Sequence, residues 1–297
     1  MAGPGAARRG EARRGKVASG SNLAGFFCVH IGCYPSKVAS HREILSVMIS
    51  AAQWGARVMV PVNPWQLDPA LWAREAKGYD LDPWQERVLG SADKNQLLLC
   101  SRQAGKSTAA SLLAAHCALY RPGSLILCLS PSQRQSGELF QKISILLSGA
   151  AKDANSKTEV SLPNGSRVLS LPGSADTIRG YSPRLVLLDE AAFAPDDLFA
   201  AISPMLAVSR GKLICLTSPN GKRGFFYALW QNATADYIRE KVIAEDCPRI
   251  SPEFLAQEKM VLSADKFEQE YHCAFGDAEN AAFANVESIF DDSVEVL

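Results

Sequence analysis

The stretch CSRQAGKST at residues 100–108, with an apolar run before it and helical spacing after it, decides how this chain is read. A cradle for a triphosphate needs converging backbone N–H groups, a flexible turn, a lysine that meets the β and γ phosphates, and a hydroxyl for Mg²⁺. Gly105, Lys106 and Ser107 supply the last three. A helix that begins near Lys106 directs its positive end at the bound anion. The spacing departs from the usual phosphate loop, because the first glycine of the motif falls on Cys100 while Arg102 and Gln103 occupy the loop interior. Taken alone, the GKS triplet also suits a helix N-terminus capped by Ser101.

Two further stretches agree with the phosphate-loop reading. In RLVLLDEAAF (184–193), Leu185 to Leu188 form the short apolar run of a strand buried on both faces, and Asp189 and Glu190 follow at its C-terminal end, where open α/β sheets place ligands. Asp189 suits coordination of Mg²⁺, directly or through water, and Glu190 suits a base that polarises water towards the γ-phosphate. The same dipeptide also suits a cap on the next helix. In LICLTSPNGKRGFFYALW (213–230), another buried strand ends at Thr217, Ser218 and Pro219, an Asn220-Gly221 turn follows, and an aromatic helix starts near Gly224. A hydroxyl-bearing turn at that strand tip is placed to sense the γ-phosphate, although an ordinary turn has the same composition.

LDPWQERVL (81–89), SRQAGKST (101–108), DTIRGYSPRLVLLDEAAF (176–193) and LTSPNGKRGFFYALW (216–230), in that order, resemble the N-terminal ATPase of the large terminase subunit of tailed bacteriophages, over about residues 78 to 277. In that family the loop arginine is typical and the first glycine is often absent. The resemblance implies a ring-forming motor that hydrolyses ATP to drive double-stranded DNA into a capsid, in the host cytoplasm, together with a portal protein and a small terminase subunit. It also implies site residues. Gln103, Ala104, Gly105, Lys106, Ser107 and Thr108 would hold the phosphates, with Ser107 and Asp189 on Mg²⁺. Glu190 would be the base, and Arg102 would stabilise charge on the γ-phosphate. Gln85 would contact adenine, beside a Trp84 that equally suits a core anchor. Thr217 and Ser218 would couple hydrolysis to motion. Arg179, before the carboxylate strand, suits either a reach towards a neighbouring subunit's phosphate or a solvent-facing position.

The rest of the chain bounds these readings. Its 297 residues are 47% hydrophobic with a formal charge of zero, so a core is attainable and any DNA contact must be local. The eight cysteines are scattered as free buried thiols are, and no apolar stretch is long enough to span a membrane. Periodicity predicts strand 96–100, helix 106–120, strand 124–130, helix 132–147, a hairpin over 158–171 turning at Pro163-Asn164-Gly165, strands at 185–188 and 213–216, and one at 237–242. Two short helices follow within 251–275, one started by Ser251 and Pro252 and the next capped by Ser263.

The fold expected is an α/β P-loop NTPase of the RecA/ASCE type, with a mainly parallel sheet between helices. Residues 1–60 read as a poorly ordered basic extension, with Arg8, Arg9, Arg13, Arg14 and Lys16 against Glu11; 61–245 as the ATPase; and 246–297 as a helical linker and tail. Helical spacing also occurs at 43–52 and at Trp65–Ala76, the latter expected beside the nucleotide. Cys28, His30, Cys33 and His41 have zinc-ligand types at a spacing that fits chance better. Asp277, Asp291 and Asp292 read as a solvated tail, not as the metal cluster of the nuclease that normally follows in the family, so the chain is expected to be a truncated or split prophage product. A helicase-like translocase and an inert nucleotide-binding remnant are the competing readings.

Overall fold

The computed structural model describes residues 63–150 and 154–276. The expectations for residues 1–60, for the helix at 43–52, for the Cys28, His30, Cys33 and His41 group, and for Asp277, Asp291 and Asp292 lie outside the described residues. Among the described residues, eight strands form one sheet in the order β3-β4-β5-β2-β6-β7-β1-β8. They are β1 (Gln96–Cys100), β2 (Leu125–Ser130), β3 (Ala154–Asn155), β4 (Glu159–Ser161), β5 (Arg167–Pro172), β6 (Leu185–Asp189), β7 (Lys212–Thr217) and β8 (Ile238–Val242). From β5 to β8 all neighbours are parallel, and β4 joins β5 as the antiparallel hairpin that the sequence predicts.

Helices on both faces explain why the central strands are unbroken apolar runs. Alternate residues feed opposite cores. Leu98, Cys100, Ile126, Cys128, Leu187, Ile214 and Leu216 belong to the core that includes helices Lys106–Tyr120 and Gln133–Leu146. Leu97, Leu99, Leu127, Leu129, Val186, Leu188, Leu213 and Cys215 belong to the core with helices Asp196–Ser209 and Gly224–Gln231. The six cysteines of the described residues are free, and burial pushes the Cys100, Cys128 and Cys215 thiols well above their ordinary range, so they stay protonated.

The local signals act as their chemistry requires. Gly165 adopts φ +82° in the hairpin turn, and the Asn164 amide beside it donates to the carbonyls of Ala118 (2.8 Å) and Leu119 (3.2 Å), closing the end of helix Lys106–Tyr120. Ser251 and Ser263 cap helices Pro252–Val261 and Ala264–Tyr271 by accepting from the N–H groups of Phe254 and Lys266.

One expectation is corrected. The Trp65–Ala76 segment is two helices, Pro64–Leu67 and Pro69–Glu75, because the Asp68 carboxylate accepts from the N–H groups of Ala70 (2.8 Å) and Leu71 (3.0 Å) and starts a new helix at Pro69. Nor does the segment pack beside the phosphate loop. Trp72 meets His116 (centroids 5.7 Å apart) and Tyr120 (6.4 Å), and the His116 ring donates to the Trp65 carbonyl at 2.6 Å. At 1.5 Å per residue these contacts begin about 15 Å along the helix from Lys106. Burial lowers the His116 pKa, which keeps the ring neutral in this apolar setting.

Trp72 is almost wholly buried, so Trp72→Ala should lose about 3–5 kcal/mol in urea unfolding. A loss below about 1 kcal/mol would show that these helices are not part of the core.

Candidate functional site

The loop between β1 and helix Lys106–Tyr120 is built backwards from its hydrogen bonds. The N–H groups of Gln103, Ala104, Gly105, Lys106 and Ser107 have no acceptor among the described residues. Gln103 (φ +60°) and Gly105 (φ +96°) lie in the left-handed region, which turns successive N–H groups to one side. The carbonyls then face away and meet donors: Arg249 Nη2 reaches Ala104 O at 3.0 Å, and Gln85 Nε2 reaches Gly105 O at 3.5 Å. A Cβ on Gly105 would stand 2.9 Å from Gln85 Nε2 and 3.2 Å from Arg249 Nη2, so the glycine is required by both φ and space. The absent first glycine is also accounted for. Cys100 is an ordinary buried strand residue, and the turn is made at Gln103 and Gly105 instead.

β6 carries Asp189 and Glu190 to the same end of the sheet. Asp189 is 8% exposed, accepts from Glu190 N–H at 3.0 Å, and has no ion pair among the described residues. Burial, reinforced by the neighbouring Glu190 and offset in part by Lys106, pushes its pKa up to about 6. Glu190 takes a left-handed conformation (φ +50°), and its Oε1 lies 3.2 Å from Lys106 Nζ. Lys106 of the first motif thus meets Glu190 of the second. The third motif supports the second: Thr217 Oγ1 accepts from Ala192 N–H (3.2 Å) and donates to Ser218 O (2.7 Å), while Asn220 Nδ2 donates to Ala192 O (3.1 Å). Both polar groups of Ala192, two residues beyond Glu190, are held by this turn. Ser218 is buried beside it.

Other candidates lie at the margin. Arg102 is exposed and pairs with Glu270 at 2.6 Å; its own N–H donates to the Glu270 carbonyl at 3.2 Å. Gln85 is buried with both amide atoms in use, Oε1 accepting from Asp82 N–H at 3.0 Å. Trp84 is buried in the core and is an anchor there. Thr108 follows Ser107 in the first helical turn, its N–H donating to Gly105 O at 3.0 Å. Arg179 is exposed and pairs with Asp176 at 3.1 Å. Sequence reading missed Asp82, Arg249, Asn220, Gln269 and Glu270. Asn220 was hidden because a tight Asn-Gly turn already accounted for it, and the others meet their partners across 50 to 168 residues of chain, for which a single sequence carries no signal.

The donor set fits Mg²⁺. The ion prefers hard oxygen ligands, and the Ser107 hydroxyl with a buried, unpaired Asp189 carboxylate offers two. No group of three or more His, Cys, Asp or Glu side chains among the described residues is arranged to hold a metal without help from a ligand.

The raised Asp189 pKa has a stability consequence with a definite sign. Ionisation of the folded protein is disfavoured relative to the unfolded chain, so the penalty is absent below about pH 4, grows between, and is complete above about pH 6. Asp189→Asn should therefore melt a few degrees above the parent at about pH 7.5, with the gap closing as the pH falls towards about 4.5. A gap that is absent at the higher pH, or constant across the range, contradicts the buried-charge account.

Comparison with known proteins adds the family. Residues 97–290 match the model described as "Terminase large subunit, T4likevirus-type, N-terminal". The terminase large subunits of Thermus virus P23-45 and Thermus phage G20c are each 24% identical, over 72% of this chain and 53% of theirs, so the chain spans about half the length of these curated relatives. The large terminase ATPase domain of Thermus phage P74-26 superposes with a TM-score of 0.60 at 23% identity, covering 70% of this chain and 99% of that one. A thermophilic bacteriophage's large terminase, solved with ADP, superposes at 0.57 and 12% identity, covering 66% of this chain and 54% of that one. With a family model matched over more than half its length and the same α/β fold in its structural neighbours, the chain belongs to the terminase large subunit family, in the N-terminal region of that protein.

Proposed function

We propose that this chain is the ATP-hydrolysing motor module of a DNA-packaging terminase. The observation that carries the reading is the run of five consecutive N–H groups, Gln103 to Ser107, without acceptors among the described residues, in a loop whose Lys106 pairs with Glu190 beside the buried Asp189. Such a nest at a helix N-terminus suits a polyphosphate, and the ADP-bound terminase among the structural neighbours supports that ligand. Lys106 exchanges its Glu190 partner for the β and γ oxygens of ATP, which frees Glu190 to orient a water for in-line attack. Ser107 and Asp189 would hold Mg²⁺, which when bound would supply positive charge to the phosphate oxygens.

Thr217 and Asn220 fix the turn behind Glu190, so a change at the γ-phosphate reaches the strand tip of β7. Arg102 reaches the γ-phosphate only by leaving Glu270, and Gln85 reaches adenine only by giving up its Gly105 contact. Double-stranded DNA, a portal protein, a small terminase subunit and further copies of the chain in a ring are the partners that this role requires, in the bacterial cytoplasm. Arg179, exposed and held only by a surface ion pair, is available to a neighbouring subunit. No helix among the described residues is long and apolar enough to cross a membrane.

Steady-state ATP hydrolysis, with and without double-stranded DNA, tests the proposal. Lys106→Ala should abolish binding or turnover, and undiminished hydrolysis would remove the phosphate-loop role. Glu190→Gln should keep nucleotide and Mg²⁺ binding while turnover falls about a hundredfold or more, whereas Asp189→Asn should weaken the Mg²⁺ dependence. Identical metal titrations of the two variants would refute this division of labour.

A ring motor that completes its sites with a neighbour's arginine should also gain specific activity with protein concentration, by up to about a thousandfold when assembly is complete. A flat, high rate per subunit from dilute to concentrated samples would mean that each chain is self-sufficient.

A further inference from the structure

Asp82 stands just before helix Pro83–Gly90, within LDPWQERVL but with no role assigned to it there, and Arg249 stands in the segment between β8 and helix Pro252–Val261, outside the four motifs. The two form a forked ion pair, Nη1 to Oδ1 at 3.0 Å and Nη2 to Oδ2 at 2.6 Å, with the Asp82 carboxylate almost fully buried. Nη2 also donates to the Ala104 carbonyl. On its other side, the Asp82 N–H donates to Gln85 Oε1 and so orients the amide whose Nε2 faces Gly105 O. Asp82 therefore aims both donors that hold two successive loop carbonyls.

The geometry points to Asp82 and Arg249 as positioning residues for the phosphate loop. An N–H nest exists only while the intervening peptide planes keep their carbonyls turned outward. Arg249 supplies a charge-assisted bond to one of those carbonyls, and its planar fork can make that bond and the two to Asp82 at once, which a lysine cannot. The loop's anion-binding shape thus depends on a residue from the segment leading to the C-terminal helices. The inference rests on the nucleotide reading above only for its kinetic consequence; the effect on loop shape is independent of it.

Two measurements on the full chain test it. In the nucleotide-free protein, residue-resolved hydrogen exchange of the Ser101, Arg102, Thr108 and Ala109 amides, which donate to the carbonyls of Val242, Glu270 and Gly105, should quicken about tenfold or more in Arg249→Ala, and less in Arg249→Lys, while amides of β2 and β6 keep the parent's rates. In ATP hydrolysis, KM should rise about tenfold with kcat within about threefold, because a displaced loop weakens ground-state and transition-state binding alike. Arg249→Ala strands the buried Asp82 carboxylate, so Asp82→Asn/Arg249→Met, which removes both charges together, is read in the same way and serves if the single variant fails to fold.

Unchanged exchange of the loop in the double variant would overturn the inference. So would exchange that quickens equally in β2 and β6, since the pair would then support the fold as a whole. If the parent chain itself binds no nucleotide, the ATPase reading fails, and the exchange measurement still decides the positioning role.

Discussion

A loop that offers five N–H groups to an anion must find donors for the carbonyls that the same peptide planes turn the other way. In this protein the constraint is met from outside the loop. Arg249 donates to the carbonyl of Ala104 and Gln85 faces that of Gly105, while the loop's first N–H groups, of Ser101 and Arg102, anchor it by donating outward to the carbonyls of Val242 and Glu270. Three of these four partners come from the chain at or beyond the end of β8, at the opposite end of the described sequence from β1. The loop's shape is therefore a product of the complete sheet and of the segment that follows it, and cannot be a local property of nine residues.

The same dependence links the motifs to one another. Glu190 lies on a turn whose Ala192 is clasped by Thr217 and Asn220; Pro219, in that clasping turn, accepts from Gln269 at 2.8 Å; and the adjacent Glu270 holds Arg102. Helix Ala264–Tyr271 thus touches the loop at Arg102 and the turn behind Glu190 through neighbouring residues. Stability is given up to build the site. Gln103 and Glu190 occupy left-handed conformations that cost about 1–3 kcal/mol each, and Asp189 carries a buried charge with no ion-pair partner. Lys106, set against Glu190, offsets part of that penalty in the absence of ligand.

How much of this was legible in the sequence depends on the range of the interaction. The sheet was legible because both of its faces are covered, so strands such as Gln96–Cys100 and Leu185–Asp189 are short apolar runs, and the helices between them carry local start and stop signals. The hairpin turn at Pro163-Asn164-Gly165 and the caps at Ser251 and Ser263 were legible for the same reason. The candidate site was legible where a motif's residues are neighbours in the chain, so that the loop carrying Lys106 and the strand end carrying Asp189 and Glu190 could each be read and are brought together in the fold. It was not legible where the chemistry is shared across the fold. Arg249 with Asp82, and Arg102 with Glu270, meet across 167 and 168 residues, and nothing in PRIS or EQEY announces it. Asp68 misled in the opposite sense, since its carboxylate broke what apolar spacing presented as one helix, and Trp72 then carried that segment away from the nucleotide site.

The central claim is that the N–H groups of Gln103 to Ser107 form one anion seat. It is tested most directly by amide NMR of the ¹⁵N-labelled chain titrated with ADP and Mg²⁺. The account predicts that the largest amide shifts and new protection from exchange fall on Gln103, Ala104, Gly105, Lys106 and Ser107, with smaller shifts at Asp189 and Glu190. Saturable binding that leaves those five amides unmoved would contradict it and place the nucleotide elsewhere.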